Sequence, residues 1–172
     1  MLKSALTISL LTFAAPAAAQ DLIVHFAGGA PKDHISFEST GCSLSNAIVM
    51  IDLAGSAGGL IFDTTPGDDG AVSYQPVEIT HGYGALSPVR NGDKRLQILV
   101  HTLPPGEEFH LSAELNDARD VGTEVAFNGA DMAGASVRLA LSDRVLKGTF
   151  DTAGTATIPL PVDASVCLAA AN

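Results

Sequence analysis

The sequence predicts an all-β fold, a single antiparallel β-sandwich of the jelly-roll or immunoglobulin-like kind. Several short runs alternate apolar and polar residues with a period of two, which is the pattern of a half-buried strand. Clusters of glycine, proline, asparagine and aspartate separate these runs, as expected for the turns between antiparallel strands. Beyond residue 19, no stretch of ten residues carries an apolar helical stripe. The three observations together indicate an all-β domain.

The strand candidates follow one another at short intervals along the chain. In order, they are residues 22–26, 35–38, 47–53, 60–63, 72–79, 96–103, 108–115, 124–128 (short), 136–141, 145–150 and 155–160. The turn candidates between them are residues 30–33, 66–70, 91–93, 104–106 and 128–129. Pro76 and Pro159 fall inside strand-like runs, so we expect edge strands or bulges there, because proline has no backbone N–H to donate. No repeat or linker divides residues 20–172, which predicts one domain.

The first 19 residues have the layout of a secretory signal peptide. Lys3 provides a basic start, residues 5–15 are apolar, and residues 16–19 form a small-residue exit. The apolar stretch is shorter than the ~20 residues that span a bilayer, so it does not predict a membrane anchor. We expect cleavage after Ala19 and export of a mature, non-spanning chain of 172 − 19 = 153 residues to the periplasm or the cell exterior.

The chain is strongly acidic. It carries 19 acids against 9 bases, a net charge of −10, and loss of Lys3 with the leader would give 8 − 19 = −11. Phosphate groups are bound by clustered lysine and arginine, so this charge argues against nucleic acid or an anionic membrane as partner. The hydrophobic fraction of 47% also excludes a disordered acidic tail. Together with the leader and the all-β pattern, this acidity makes a protein or another cell-surface component the expected partner.

Two cysteines, Cys42 and Cys167, occur in the chain. Because thiols are normally oxidised in exported proteins, an even pair predicts one disulfide. In the loop-entropy account, closing so long a loop would stabilise the fold by about 4–5 kcal/mol. Two buried free thiols are the alternative, and the absence of a Cys-x-x-Cys spacing argues against redox catalysis.

The sequence lacks the motifs of common enzymes, with no Gly-x-Ser-x-Gly, Walker loop or His-Glu-x-x-His. The glycine-rich run at residues 55–59 lacks the Lys-Ser/Thr ending of a phosphate loop and precedes a strand-like segment, so it predicts a bend between strands. No spacing singles out a base, a nucleophile and an oxyanion donor. We therefore expect a protein that is not an enzyme.

One transition-metal site depends on an assumed hairpin. If residues 96–103 and 108–115 pair about the turn at 104–106, His101 lies opposite His110, with Cβ atoms about 5 Å apart. His101, His110 and Glu114 would then offer two imidazoles and a carboxylate to zinc or copper, as in a metal-dependent hydrolase of the cell envelope. The alternative is a polar outer face with two exposed histidines.

Acidic and amide side chains gather in two segments. The first contains Asp63, Asp68 and Asp69, and the second contains Asn116, Asp117, Asp120 and Glu124. Calcium takes six to eight oxygen ligands, which loops of extracellular β-domains supply from such side chains. Neither segment has the EF-hand order. Two interpretations stay open, solubilising surface charge or a calcium site, and the second segment is the favoured site.

Residues 47–67 (AIVMIDLAGSAGGLIFDTTPG) resemble the signature of small exported bacterial proteins called aggregation factor core proteins. The segments QPVE (75–78), LPPGE (103–107) and MAGA (132–135) and the late Cys167 fit the same family, and the resemblance covers residues 21–167. The family takes its name from the core protein of sponge aggregation factors, which mediate calcium-dependent cell adhesion. The resemblance implies an extracellular adhesion or matrix role and assigns no catalytic or binding residues.

Together these features predict an exported, non-enzymatic β-sandwich module for cell-surface adhesion, aggregation or partner binding, with calcium as its candidate cofactor. The metal-dependent hydrolase and a purely structural envelope protein are the alternatives.

Overall fold

The computed structural model describes residues 20–29, 31–64, 75–117, 126–141 and 144–161, and antiparallel strands dominate them. In these ranges the strands are β1 Asp21–Ala27, β2 Asp33–Ser39, β3 Leu44–Asp52, β4 Leu60–Phe62, β5 Glu78–His81, β6 Tyr83–Leu86, β7 Arg95–Leu103, β8 Glu108–Ala113, β9 Leu115–Asp117, β10 Ser136–Ala140, β11 Val145–Thr149 and β12 Thr155–Pro159. Every pairing between them is antiparallel. The all-β prediction is confirmed.

The strands of the described ranges form two five-stranded sheets and one short ribbon. The first sheet has the order β12-β1-β2-β8-β5, the second has the order β11-β10-β3-β7-β6, and β4 pairs with β9 in the ribbon. Alternate residues of each sheet point inwards, such as Val24 and Phe37 from the first and Val49 and Ile98 from the second, and all four are fully buried in one shared core. Fully burying side chains of this size stabilises the fold by about 1.5–3 kcal/mol each.

The chain crosses between the sheets at both lateral edges. Only Gly82, with φ +96°, separates β5 from β6, and a Cβ at this position would lie 2.5 Å from Cδ2 of the buried Phe109 ring. At the opposite edge, Asp151 Oδ1 accepts hydrogen bonds from the amides of Ala153 and Thr155 and shapes the connection from β11 to β12. β12, which ends with Pro159, is an edge strand as predicted.

The hairpin assumed between residues 96–103 and 108–115 does not form. β7 pairs with β3 and β6 in the second sheet, whereas β8 pairs with β2 and β5 in the first sheet. The connection at residues 104–107 therefore carries the chain across the core to the other sheet. Both strands bury alternate apolar side chains, for example Ile98 and Leu111. Two strands with this pattern can bury those side chains either as neighbours in one sheet or from opposite sheets across the core, so the pattern does not decide between the two arrangements.

Residues near 128 form a helical turn where a strand was expected. The strand predicted at 124–128 is absent from residues 126–128, and a short helix, α1, runs from Gly129 to Met132. The Asn128 side chain accepts a hydrogen bond from the Ala130 amide, and Asp131 Oδ2 accepts one from the Asn128 amide. This reciprocal capping explains why the Asn-Gly pair begins a helix here. The strand predicted at 72–79 begins at Glu78, and residues 71–74 lie outside the described ranges.

The glycine-rich run at residues 55–59 packs against the segment after α1. A 3₁₀ turn at Leu53–Gly55 follows β3, and the run then leads into β4, which confirms the predicted bend. The amide of Ala57 donates to the carbonyl of Ala133, and the amide of Gly58 donates to that of Asp131. The Ala57–Ala133 bond joins two of the segments, 47–67 and 132–135, on which the resemblance was based.

Candidate functional site

The β4–β9 ribbon brings the two acidic segments to one place. Asp63 directly follows β4 and Asn116 lies in β9, whose residues 115–117 pair with residues 62–60. Asn116 Nδ2 donates to Asp63 Oδ2 over 3.4 Å, and the Asp63 amide donates to the carbonyl of Glu114 over 2.9 Å. Both side chains are buried, with 1% and 5% of their surface exposed. The two segments, predicted from the sequence as separate sites, thus begin on the same ribbon.

The remaining calcium candidates divide between the ribbon and undescribed residues. Asp117 ends β9 opposite Leu60, and its amide donates to Asn116 Oδ1 over 2.8 Å. Asp68, Asp69, Asp120 and Glu124 lie outside the described residues. Calcium binding by these residues stays a prediction.

Asp33 ties the ribbon to the first sheet, a role that its sequence context did not indicate. Its carboxylate accepts hydrogen bonds from the amides of Gly29 at 3.1 Å and of Leu115, the first residue of β9, also at 3.1 Å. Only 3% of Asp33 is exposed, and this burial raises the pKa of its carboxyl to about 6 although both hydrogen bonds act to lower it. The turn at 30–33 gave no signal for this role, because aspartate is common in turns of any kind.

The predicted site of His101, His110 and Glu114 does not form. His101 lies in β7 of the second sheet, where its ring contacts that of Tyr83 with centroids 4.7 Å apart. His110 lies in β8 of the first sheet, and Glu114 follows that strand. The site depended on the β7–β8 hairpin, so it is lost with the incorrect pairing.

His110 instead lies beside His81, at the edge of the first sheet. The two residues are cross-strand partners, with ring centroids 5.5 Å apart and an interplanar angle of 87°. His110 Nε2 also contacts Glu108 Oε2 at 2.7 Å. The side chains of His110 and Glu108 remain 39% and 50% exposed and, with Thr80 and Glu107, line a shallow depression.

Four of the five histidines lie on the outer face of this sheet. A row across it pairs His25 with Ser36, Ser36 with His110 and His110 with His81. His34 lies two residues from Ser36 on the same face. Local spacing in the sequence does not indicate that His25, His34 and His81 share a face with His110, because the order of the strands brings them together.

Cys42 is buried at the end of the first sheet, 6% exposed, and its carbonyl accepts a hydrogen bond from Ser39 Oγ. Cys167, its predicted partner, lies outside the described residues. The disulfide therefore stays a prediction.

Within the described ranges, no three or more histidine, cysteine, aspartate or glutamate side chains are grouped so as to hold a metal ion. The same part of the chain contains no helix that is long and apolar enough to cross a membrane.

Comparison with known proteins gives no further assignment. No protein-family model matches the chain, and no curated protein matches it. The resemblance to aggregation factor core proteins stays a prediction.

Proposed function

We propose that the protein is an exported, non-enzymatic β-sandwich module that binds a protein or another component at the cell surface and supports adhesion or aggregation, with calcium ordering the binding loops. The observation that carries the proposal is the contact between Asp63 and Asn116. The contact brings the first residues of two acidic segments, 63–69 and 116–124, together at one buried ribbon of the sandwich.

Two segments that begin at the same ribbon can contribute ligands to the same site. Hard cations need several oxygen ligands in one place, and seven acidic or amide residues belong to these two segments. The ribbon also fixes the first residue of each segment, Asp63 and Asn116, relative to the other. Asp33 further fixes the position of the ribbon, because its buried carboxylate connects the first residue of β9 to the β1–β2 connection.

Sequence features support the proposed location and role. The leader supports export, and the net charge of −10 suits a surface that meets cations more readily than phosphate. The adhesive role rests on the resemblance to aggregation factor core proteins.

The proposal is tested by clumping of cells that lack the gene, measured in calcium and in chelator. Complementation uses the wild-type gene, the loop variant Asp120→Asn/Glu124→Gln, and the control Asp21→Asn/Glu38→Gln, which removes the same charge from the first sheet. We expect deletion to reduce clumping only in calcium, and the wild type and the control variant to restore it.

Two results would overturn the proposal. Unchanged clumping after deletion removes the adhesive role, and envelope leakage in the same cells would then favour a purely structural protein. Full restoration by the loop variant removes the calcium loops from the role.

A further inference from the structure

We propose that His81 and His110 form a two-imidazole site for a divalent transition-metal ion of the zinc class. The site lies on the outer face of the first sheet, on different strands from the β4–β9 ribbon. It goes beyond the proposed function, because imidazole nitrogen binds zinc-class ions and not calcium, which takes oxygen ligands.

A bulge in β5 places the first imidazole. The register between β5 and β8 is regular from Glu78 to Ile79 and then shifts, so that His81 rather than Thr80 lies opposite His110. Bulges of this kind re-aim a side chain at a sheet edge. Without the extra residue, Thr80 would occupy the position beside His110, and the two imidazoles would not be neighbours.

The separation of the rings fits a shared ion. A zinc ion lies about 2.0–2.1 Å from an imidazole nitrogen and therefore about 3.2 Å from the ring centroid. Two rings bound at a tetrahedral angle then have centroids about 5.2 Å apart. The observed separation of 5.5 Å between His81 and His110 is close to this value.

Glu108 selects the nitrogen of His110 that faces the ion. When His110 Nε2 donates its hydrogen to Glu108 Oε2, at 2.7 Å, the lone pair remains on Nδ1. A carboxylate in this position orients a ligating imidazole and raises its basicity. Glu108 is therefore a positioning residue and not a ligand.

Neighbouring charges also favour a cation. Glu38 lies directly opposite Glu108 across the β2–β8 pair, and Glu107 lines the same depression. Glu78 is the one acid of β5, and it is paired with Lys32 Nζ at 2.9 Å. Two carboxylates directly opposite on a sheet repel each other, so a bound cation relieves this repulsion.

The test is calorimetric titration of the tag-free mature protein with Zn²⁺ in the presence of excess Ca²⁺. We expect one zinc ion per chain, with affinity reduced at least ~10-fold by His81→Ala or His110→Ala and less by Glu108→Gln. Glu108→Asp should recover part of the loss. The control variants His25→Ala and His34→Ala remove histidines from the same face and should leave the affinity unchanged.

Imidazole NMR signals provide a readout independent of variant folding, since zinc should shift those of His81 and His110 in the wild type and leave those of His25 unchanged. Absence of zinc binding, or equal weakening by the control variants, would overturn the proposal. Neither result tests the proposed calcium site at the ribbon, because excess calcium would occupy that site throughout the zinc titration.

Discussion

Gly55 and Gly134 lie in backbone contact, and each fills the space that a side chain on the other would need. A Cβ on Gly55 would lie 2.5 Å from the carbonyl oxygen of Gly134, and a Cβ on Gly134 would lie 2.4 Å from that of Gly55. Both distances are shorter than real Cβ contacts. This contact explains why positions 55 and 134 are glycine, because the 3₁₀ turn and the segment after α1 approach closely there.

We expect Gly134→Ala to destabilise the protein more than Gly92→Ala. Both glycines have positive φ, +88° and +81°, so each alanine costs about 1–2 kcal/mol in backbone strain. Only Gly134 faces backbone within van der Waals distance, whereas nothing lies within 4 Å of a Cβ at Gly92. The overlap should add about 1–3 kcal/mol, measured by urea unfolding. Equal losses for the two variants would show that the contact is not tight.

Asp33 gives the stability an unusual pH dependence. The folded-state pKa of Asp33 is about 6, which is above the unfolded value. Between about pH 4 and pH 6, the folded state therefore keeps a proton on Asp33 that the unfolded state has lost. The free energy of unfolding should therefore rise by up to about 3 kcal/mol from Asp33 as pH falls through this window, and change no further below it. Asp33→Asn should remove this contribution, because asparagine does not titrate. An identical pH profile for wild type and variant would contradict the prediction.

Asp52 gives the free energy of unfolding a pH dependence of the opposite sign to that from Asp33. Burial raises the pKa of Asp52, but the hydrogen bond from the Ala54 amide and the interaction with Arg95 outweigh it and leave the pKa below its usual value. Its stabilising contribution is present above about pH 4 and is lost as pH falls further. We expect Asp52→Ala to cost about 1 kcal/mol at pH 7, chiefly through the lost cap of the 3₁₀ turn.

Arg95→Ala is the matched control for Asp52, since it removes the ion pair and keeps the cap. The Arg95 side chain is 69% exposed, so its loss should cost less than about 0.5 kcal/mol. A larger loss from Arg95→Ala than from Asp52→Ala in thermal unfolding would show that the ion pair, and not the cap, holds this turn.

The strands could be predicted from the sequence, but their neighbours could not. Alternation placed β1, β3 and β7 within a few residues, because burial of one face imposes a period of two. The same alternation is satisfied whether β7 and β8 pair or face each other across the core, so it could not assign a partner to His110. The bulge that brings His81 beside His110 is equally invisible in the sequence.

Shorter features were missed for a different reason. β6, four residues with a glycine at position 84, has too little alternation to be detected. Gly84 is required by packing, since a Cβ there would lie 2.4 Å from the carbonyl oxygen of Leu99. The contact of Asp63 with Asn116 joins residues that are 53 positions apart, and only the β4–β9 pairing creates it.

Reduction of the purified mature protein tests the predicted Cys42–Cys167 disulfide. Alkylation without reductant should leave the mass unchanged, and alkylation after reduction in denaturant should add two labels. We expect reduction to lower the free energy of unfolding by about 4–5 kcal/mol, since the bond would close a long loop of the unfolded chain. Labelling of both cysteines in unreduced, denatured protein would contradict the pairing. Cys42→Ser should reproduce the reduced state.

Thermal unfolding of the mature protein in calcium and in chelator tests the proposed function most directly. An ion that binds the native state at ten times its dissociation constant adds about 1.4 kcal/mol, which raises Tm by about 3–6 °C in a chain of this size. We predict such a rise for the wild type and for the Asp21→Asn/Glu38→Gln control, and its loss in Asp120→Asn/Glu124→Gln. An unchanged Tm at millimolar calcium, or an equal rise in all three proteins, would contradict a calcium site built on the β4–β9 ribbon.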